Sequence, residues 1–205
     1  MRFDTLASED TLTKIVPALA ERGITAEVVD TGAAALERIK ALIPAGVSVM
    51  NGASRTLEQI GYVSYLESGA HPWKNLKADI LAEQDPVKQA ELRKQSVISD
   101  WYLGSVHALS EDGQLVIASN SGSQLPHIAF TSQNLIFVVS TMKITPTLTD
   151  ALQRLDEHVI PLEDERMMGA MQMHTQLSKL LIWKDEPRFM GRGVHMLLVK
   201  EDLGF

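Results

Sequence analysis

The sequence contains no cysteine, which excludes disulfides, thiolate-ligated zinc, cysteine-ligated iron-sulfur clusters and cysteine nucleophiles together. A long apolar run is also missing. The longest unbroken aliphatic and aromatic stretch, residues 135–139, is far short of the ~20 residues of a spanning helix, so no membrane insertion is expected. The opening MRFDTLASED is acidic and polar where a secretory signal needs a basic end and an apolar run of about 7–15 residues, which predicts a cytoplasmic location. Basic charge is scarce: 19 Lys and Arg face 26 Asp and Glu, for a net charge of −7. Such a field repels phosphate backbones and argues against nucleic acid as a partner. An anionic ligand would need a local trap.

What is present is a globular composition, 45% hydrophobic and 22% charged over 205 residues, which suits a single domain, 1–205, around one core. Residues 11–22 place Leu12, Ile15, Val16 and Leu19 on one helical face, with Gly23 as the stop. Pro17 inside that stretch predicts a kink or a late start. Residues 1–23 thus form a helical leader. Residues 25–29 read as a short buried strand, and Thr31 as the N-cap of a helix with Leu36, Ile39, Leu42 and Ile43 inward. A strand at 47–50 runs into Asn51-Gly52-Ala53-Ser54-Arg55-Thr56, after which Leu57, Ile60, Val63 and Leu66 resume a helical repeat.

Residues 67–84 read as a surface connection, and Asp85-Pro86 as the cap and first position of a helix to about Ser99. Strands are expected at 101–109 and 114–119, joined as a hairpin at Glu111-Asp112-Gly113. Then come a strand at 135–139, a helix capped around 145–147, a helical stretch near 163–174, and strands at 180–183 and 194–199. This alternation predicts an α/β fold in which a mostly parallel, mixed sheet lies between helical layers. Ligands of such sheets gather at the carboxyl ends of strands. The loops 51–56 and 119–124 both follow strands directly, so they are expected to converge.

The first loop offers amides freed by Gly52, the side chains of Asn51, Ser54 and Thr56, and one cation, Arg55, at a helix start that favours anions. It lacks the Gly-Lys-Ser/Thr of a Walker A loop. Its plainer reading is a capping box of Thr56 and Gln59. The second loop, Ser119, Asn120, Ser121, Gly122, Ser123 and Gln124, is rich in uncharged donors, and its plainer reading is a polar turn. Both are candidate binding segments for a small anionic metabolite.

Candidates for catalysis are Glu58, His107 and Glu111. Glu111 has the chemistry of a nucleophilic carboxylate but sits where a hairpin tip is expected. His107 suits an acid or base near neutral pH, although a satisfied sheet histidine is the commoner role. Neither His107 nor His127 has partners at metal-ligand spacing, so no metal site is expected. Met167, Met168, Met171 and Met173 suit a soft metal or, more simply, a core or a homo-oligomer interface. Gly191-Arg192-Gly193 has Met196 where a dinucleotide fingerprint needs its third glycine. Glu163-Asp164-Glu165-Arg166 reads as a solvated first helical turn.

Residues 52–61, 101–107, 121–126, 161–166 and the closing Leu203-Gly204-Phe205 together resemble the lactate-utilisation (LUD) domain family over nearly the whole chain. The resemblance implies the sugar-phosphate-isomerase and CoA-transferase superfold, a three-layer α/β/α sandwich. It further implies a role beside oxidation of L-lactate to pyruvate, in which larger members append ferredoxin-like cysteine motifs and act with iron-sulfur partner subunits. A chain that ends near the domain and has no cysteine is expected to carry no iron-sulfur cluster and no covalent cofactor of its own. An accessory or regulatory subunit is the first functional expectation; a stand-alone isomerase or acyl-CoA transferase is the second. Fold alone does not choose between them.

Overall fold

A computed structural model describes residues 3–205. Among these, six strands form an all-parallel sheet in the spatial order β1 (Thr25–Val29), β10 (Gly193–Val199), β7 (Asn134–Ser140), β4 (Trp101–Gly104), β2 (Ser48–Asn51) and β3 (Lys74–Asn75). Its central strands are apolar on both faces, as a parallel sheet covered on both sides requires. Along β7, Leu135, Phe137 and Val139 enter one core, while Ile136 and Val138 enter the other. A second, mixed sheet orders β8 (Ile144–Thr145), β5 (Ala108–Ser110), β6 (Leu115–Ser119) and β9 (Lys179–Trp183). Within it β5 and β6 form the expected antiparallel hairpin.

The helices are α1 (Glu9–Glu21), α2 (Gly32–Leu42), α3 (Arg55–Gln59), α4 (Tyr62–Glu67), α5 (Leu76–Ala82), α6 (Pro86–Gln95), α7 (Leu148–Arg154) and α8 (Ile160–Met171). Residues of α2, α3 and α4 cover one face of the parallel sheet. The other face meets α1 together with Leu109, Leu115, Ile117 and Trp183 of the second sheet. Ala151 of α7, with Leu155 and Val159, packs on that sheet's far side against Ala108 and Val116. The α/β/α layering is therefore present, with the second sheet built into one outer layer. Among the described residues no helix is long and apolar enough to cross a membrane.

Several local expectations are corrected. Helix α1 runs unbroken through Pro17, which lies on the exposed face, where water can meet the carbonyl it leaves unpaired. Strand β1 is an edge strand and only partly buried. The stretch 101–109 is two strands in different sheets, parted at 105–107. The helical repeat after Thr56 is split at Gly61, whose φ of +82° suits glycine. Residues 67–84 hold α5, capped by Asn75. Thr31 and Thr147 cap their helices as expected, Thr147 in a capping box with Asp150.

Candidate functional site

Four neighbouring parallel strands deliver their carboxyl ends to one place. Beyond β2 lie Gly52 to Thr56, beyond β4 lie Ser105 to His107, beyond β7 lies Lys143 and beyond β10 lies Gly204. All of these line a cleft of about 530 Å³. From the second sheet, β6 adds Ser119, Asn120, Ser121, Ser123 and Gln124 to the same lining. The two loops expected to converge do so, although their strands belong to different sheets.

Tyr102 sets the spacing between them. Its hydroxyl faces Gln124 Oε1 at 3.5 Å and lies where a Cβ on Gly52 would come within 2.5 Å of it. Only a residue without a side chain lets the first loop pass this close. Ser54 accepts the Leu57 amide at 3.3 Å and caps α3, so the cap is Ser54 and not the Thr56 and Gln59 pair. The Gln59 side chain instead accepts the Gly204 amide at 2.6 Å. Helix α3 has five residues, too few for much of a dipole. In the second loop Ser119 Oγ accepts the Gly122 amide at 2.9 Å, and Ser121 donates to Ser123 at 3.0 Å.

Two residues expected to bind do not line the cleft. Asn51 is buried beneath it and donates to its neighbour's carbonyl, and Gly122, with φ +84°, turns the loop against Lys179. Arg55 and Glu58 both line it, paired to each other at 3.1 Å. Glu111 is outside it: its carboxylate accepts from Thr11 at 3.5 Å, on the hairpin beside α1. His107 opens onto the cleft but is otherwise enclosed. Its Nδ1 accepts the Ala118 amide at 3.1 Å, and burial, then Lys143 and Arg154, push its pKa down to about 3. It is thus held neutral at physiological pH, in the bend between β4 and β5. His127 is likewise buried, stacked on Tyr102 beside Ser99 and Ser132, and burial lowers its pKa to about 4.

The most unusual group in the cleft is one the sequence did not single out. Lys143 is 4% exposed, and its Nζ donates within 3.3 Å of Thr56 Oγ1, Ser105 Oγ and the Val106 carbonyl. All three partners are neutral. A buried ammonium without a counter-charge is costly. Burial, with the positive Arg154 nearby, brings the Lys143 pKa down to about 7. Gly204 permits the contact, since a Cβ there would meet Thr56 Oγ1 at 2.4 Å and Lys143 Nζ at 2.8 Å. The one sequence signal is that Lys143 is the first basic residue after Lys94 and stands three positions past an apolar strand.

The stretch 163–166 is also more than a solvated turn. Glu163 and Arg166 line the cleft, joined by two bonds of 2.6 and 2.7 Å, while Asp164 accepts the Thr175 amide at 2.7 Å. Met167 faces the cleft, whereas Met168, Met171 and Met173 are exposed and fill no core. Arg192 pairs with Glu186 and donates to the carbonyls of His127, Ile128 and Ser132, a purely structural role. Among the described residues no group of three or more His, Asp or Glu side chains is placed to hold a metal.

The model of the LUD domain family matches residues 12–178. The crystal structure of a DUF162 family protein from Deinococcus radiodurans superposes with a TM-score of 0.52 over 95% of this chain and 98% of that one, at 10% identity. That likeness speaks for the fold alone. No curated protein matches the chain.

Proposed function

The chain belongs to the LUD domain family, and from that premise we propose that it is a cytoplasmic accessory or regulatory subunit of L-lactate or related 2-hydroxy acid utilisation. Its cleft holds a small organic anion. The observation that carries this reading is Lys143, a buried cation with no carboxylate partner, in a cleft walled by both donor-rich loops. A bound carboxylate or phosphate supplies the missing counter-charge, and the hydroxyls of Thr56 and Ser105 complete its shell. The overall charge of −7 makes such a local trap necessary for any anion to stay. Electron transfer falls to iron-sulfur partner subunits, because this sequence has no cysteine to ligate a cluster.

A thermal-shift series with lactate, pyruvate, phosphate and CoA tests the reading, since ligand at ~100 times Kd adds roughly 2.7 kcal/mol. Lactate or pyruvate is expected to raise the melting temperature, with the shift lost in Lys143→Met and reduced in Arg55→Ala and Ser123→Ala. Shifts retained in all three variants would move the site elsewhere. Unchanged lactate consumption after deletion of the gene would remove the metabolic role.

A second reading, a stand-alone isomerase or acyl-CoA transferase, is favoured by the same lysine. An amine with a pKa near 7 can accept and return a proton at physiological pH. Turnover of sugar phosphates or CoA esters that vanishes in Lys143→Met would establish it.

A further inference from the structure

The cleft is much larger than a three-carbon acid and is only partly polar. Its volume of about 530 Å³ falls in the range, roughly 300–1,000 Å³, of clefts that enclose drug-sized ligands. Lactate needs about the space of three waters, each with a share of ~30 Å³. The polar side of the lining is the two loops and Lys143. A second side is a single helical surface: Leu155, Val159, Ile160 and Met167 recur along the continuous helical stretch that includes α8, and Leu177 follows it. Leu177 is 37% exposed although it lines the cleft.

The geometry points to an amphiphilic acid as the ligand: a 2-hydroxy or 2-oxo carboxylate whose side chain is a branched aliphatic or aromatic group of four or more carbons. This rests on the anion-binding reading above and narrows its ligand class. The carboxylate sits at Lys143, the buried positive charge among the described residues that line the cleft. The 2-oxygen finds hydroxyl partners in Thr56 and Ser105, which already contact Nζ. The body lies along Ile160, Met167 and Leu177. A three-carbon acid would leave that wall wet, whereas a longer one takes its apolar surface out of water.

Charge favours one acidic group over several. Arg55 is already paired with Glu58, and Arg166 with Glu163. Among the described residues Lys143 is thus the lining Lys or Arg with no carboxylate partner. A monocarboxylate matches it, while a diphosphate would meet the two glutamates. Each buried methylene is expected to tighten binding about fourfold, so three added carbons amount to roughly 50-fold.

The test is calorimetric titration of the full chain with lactate, 2-hydroxy-4-methylpentanoate and 3-phenyllactate. The two longer acids are expected to bind at least about tenfold tighter than lactate. Both are expected to lose that advantage in the double variant Met167→Asn, Leu177→Asn, their affinities falling to within about threefold of that of lactate measured on the same variant. These positions are not in the core, so the variant should fold, and its melting temperature checks this. Lactate binding as tightly as the longer acids, through Lys143, overturns the inference and leaves the anion site standing. Binding by none of the three overturns both. An advantage that survives the double variant places the apolar body elsewhere and also overturns the inference.

Discussion

A central strand of the parallel sheet and an edge strand of the second sheet treat their apolar residues differently. In the parallel sheet β7 is buried on both faces from Leu135 onward, and its residues reach both cores. In the second sheet β9 begins exposed, at Lys179 and Leu180, and becomes buried only at Trp183. The first sheet is therefore a framework that fixes where its strand ends point. The second is a wall laid against it that brings the loop 119–124 to those ends. The site is made from both: strand ends of the parallel sheet supply Gly52 to Thr56, Ser105 and Lys143, and the second sheet adds the lining that follows β6.

Substitutions in each sheet separate their two roles. Phe137→Ala, in the middle of β7, is expected to cost about 3–5 kcal/mol in urea unfolding, and a loss under about 1 kcal/mol would mean the parallel sheet is not the framework. Gly52→Ala is next. The new Cβ would press on the Tyr102 hydroxyl, with a cost of about 1–3 kcal/mol and weaker anion binding; full stability and full binding would show that the loops do not depend on this approach. Thr147→Ala removes the capping box of α7, which covers the second sheet, at about 1 kcal/mol. Leu180→Ser, on the exposed start of β9, should stay within about 0.5 kcal/mol, and a larger loss would make that strand part of the framework.

Acid should sharpen the same contrast. His127 beside the parallel sheet and His107 beside the second are held neutral, with pKa values near 4 and 3. The unfolded chain takes up these protons first, near 6.5. The histidine contribution to stability is therefore full above about pH 6.5 and is lost as pH drops from there toward 4 and then 3. Urea midpoints between pH 7 and 4 follow this, and His107→Gln is expected to flatten the fall.

Much of this was legible locally. The strand alternation, the caps at Thr31, Asp85 and Thr147, and the hairpin at Asp112-Gly113 depend on neighbours in sequence, and all are present. The two donor loops were found because position after a strand is itself a local signal. Other features needed the strand order. Lys143 enters the cleft because β7 lies beside β4, so the turn after β7 meets Thr56 and Ser105. Glu111 left the site because its hairpin points toward α1. The break within 101–109 leaves no mark in the pattern because Ser105, Val106 and His107 keep a strand-like alternation across it.

Lys143 is a buried amine whose hydrogen-bond partners are all neutral. Burial lowers its folded pKa to about 7 from 10.5. The unfolded chain thus binds the proton more readily between those values, and stability should rise with pH across that window. An anion favours the charged form, so its affinity should weaken as pH rises above about 7. The direct measurement is an NMR titration of lysine Nζ resonances, with the Lys143 signal assigned by its loss in Lys143→Met, in the presence and absence of lactate. A pKa near 7 that climbs on adding lactate is the predicted result. An ordinary value near 10.5, or one that lactate does not move, would mean that Lys143 is not an anion site.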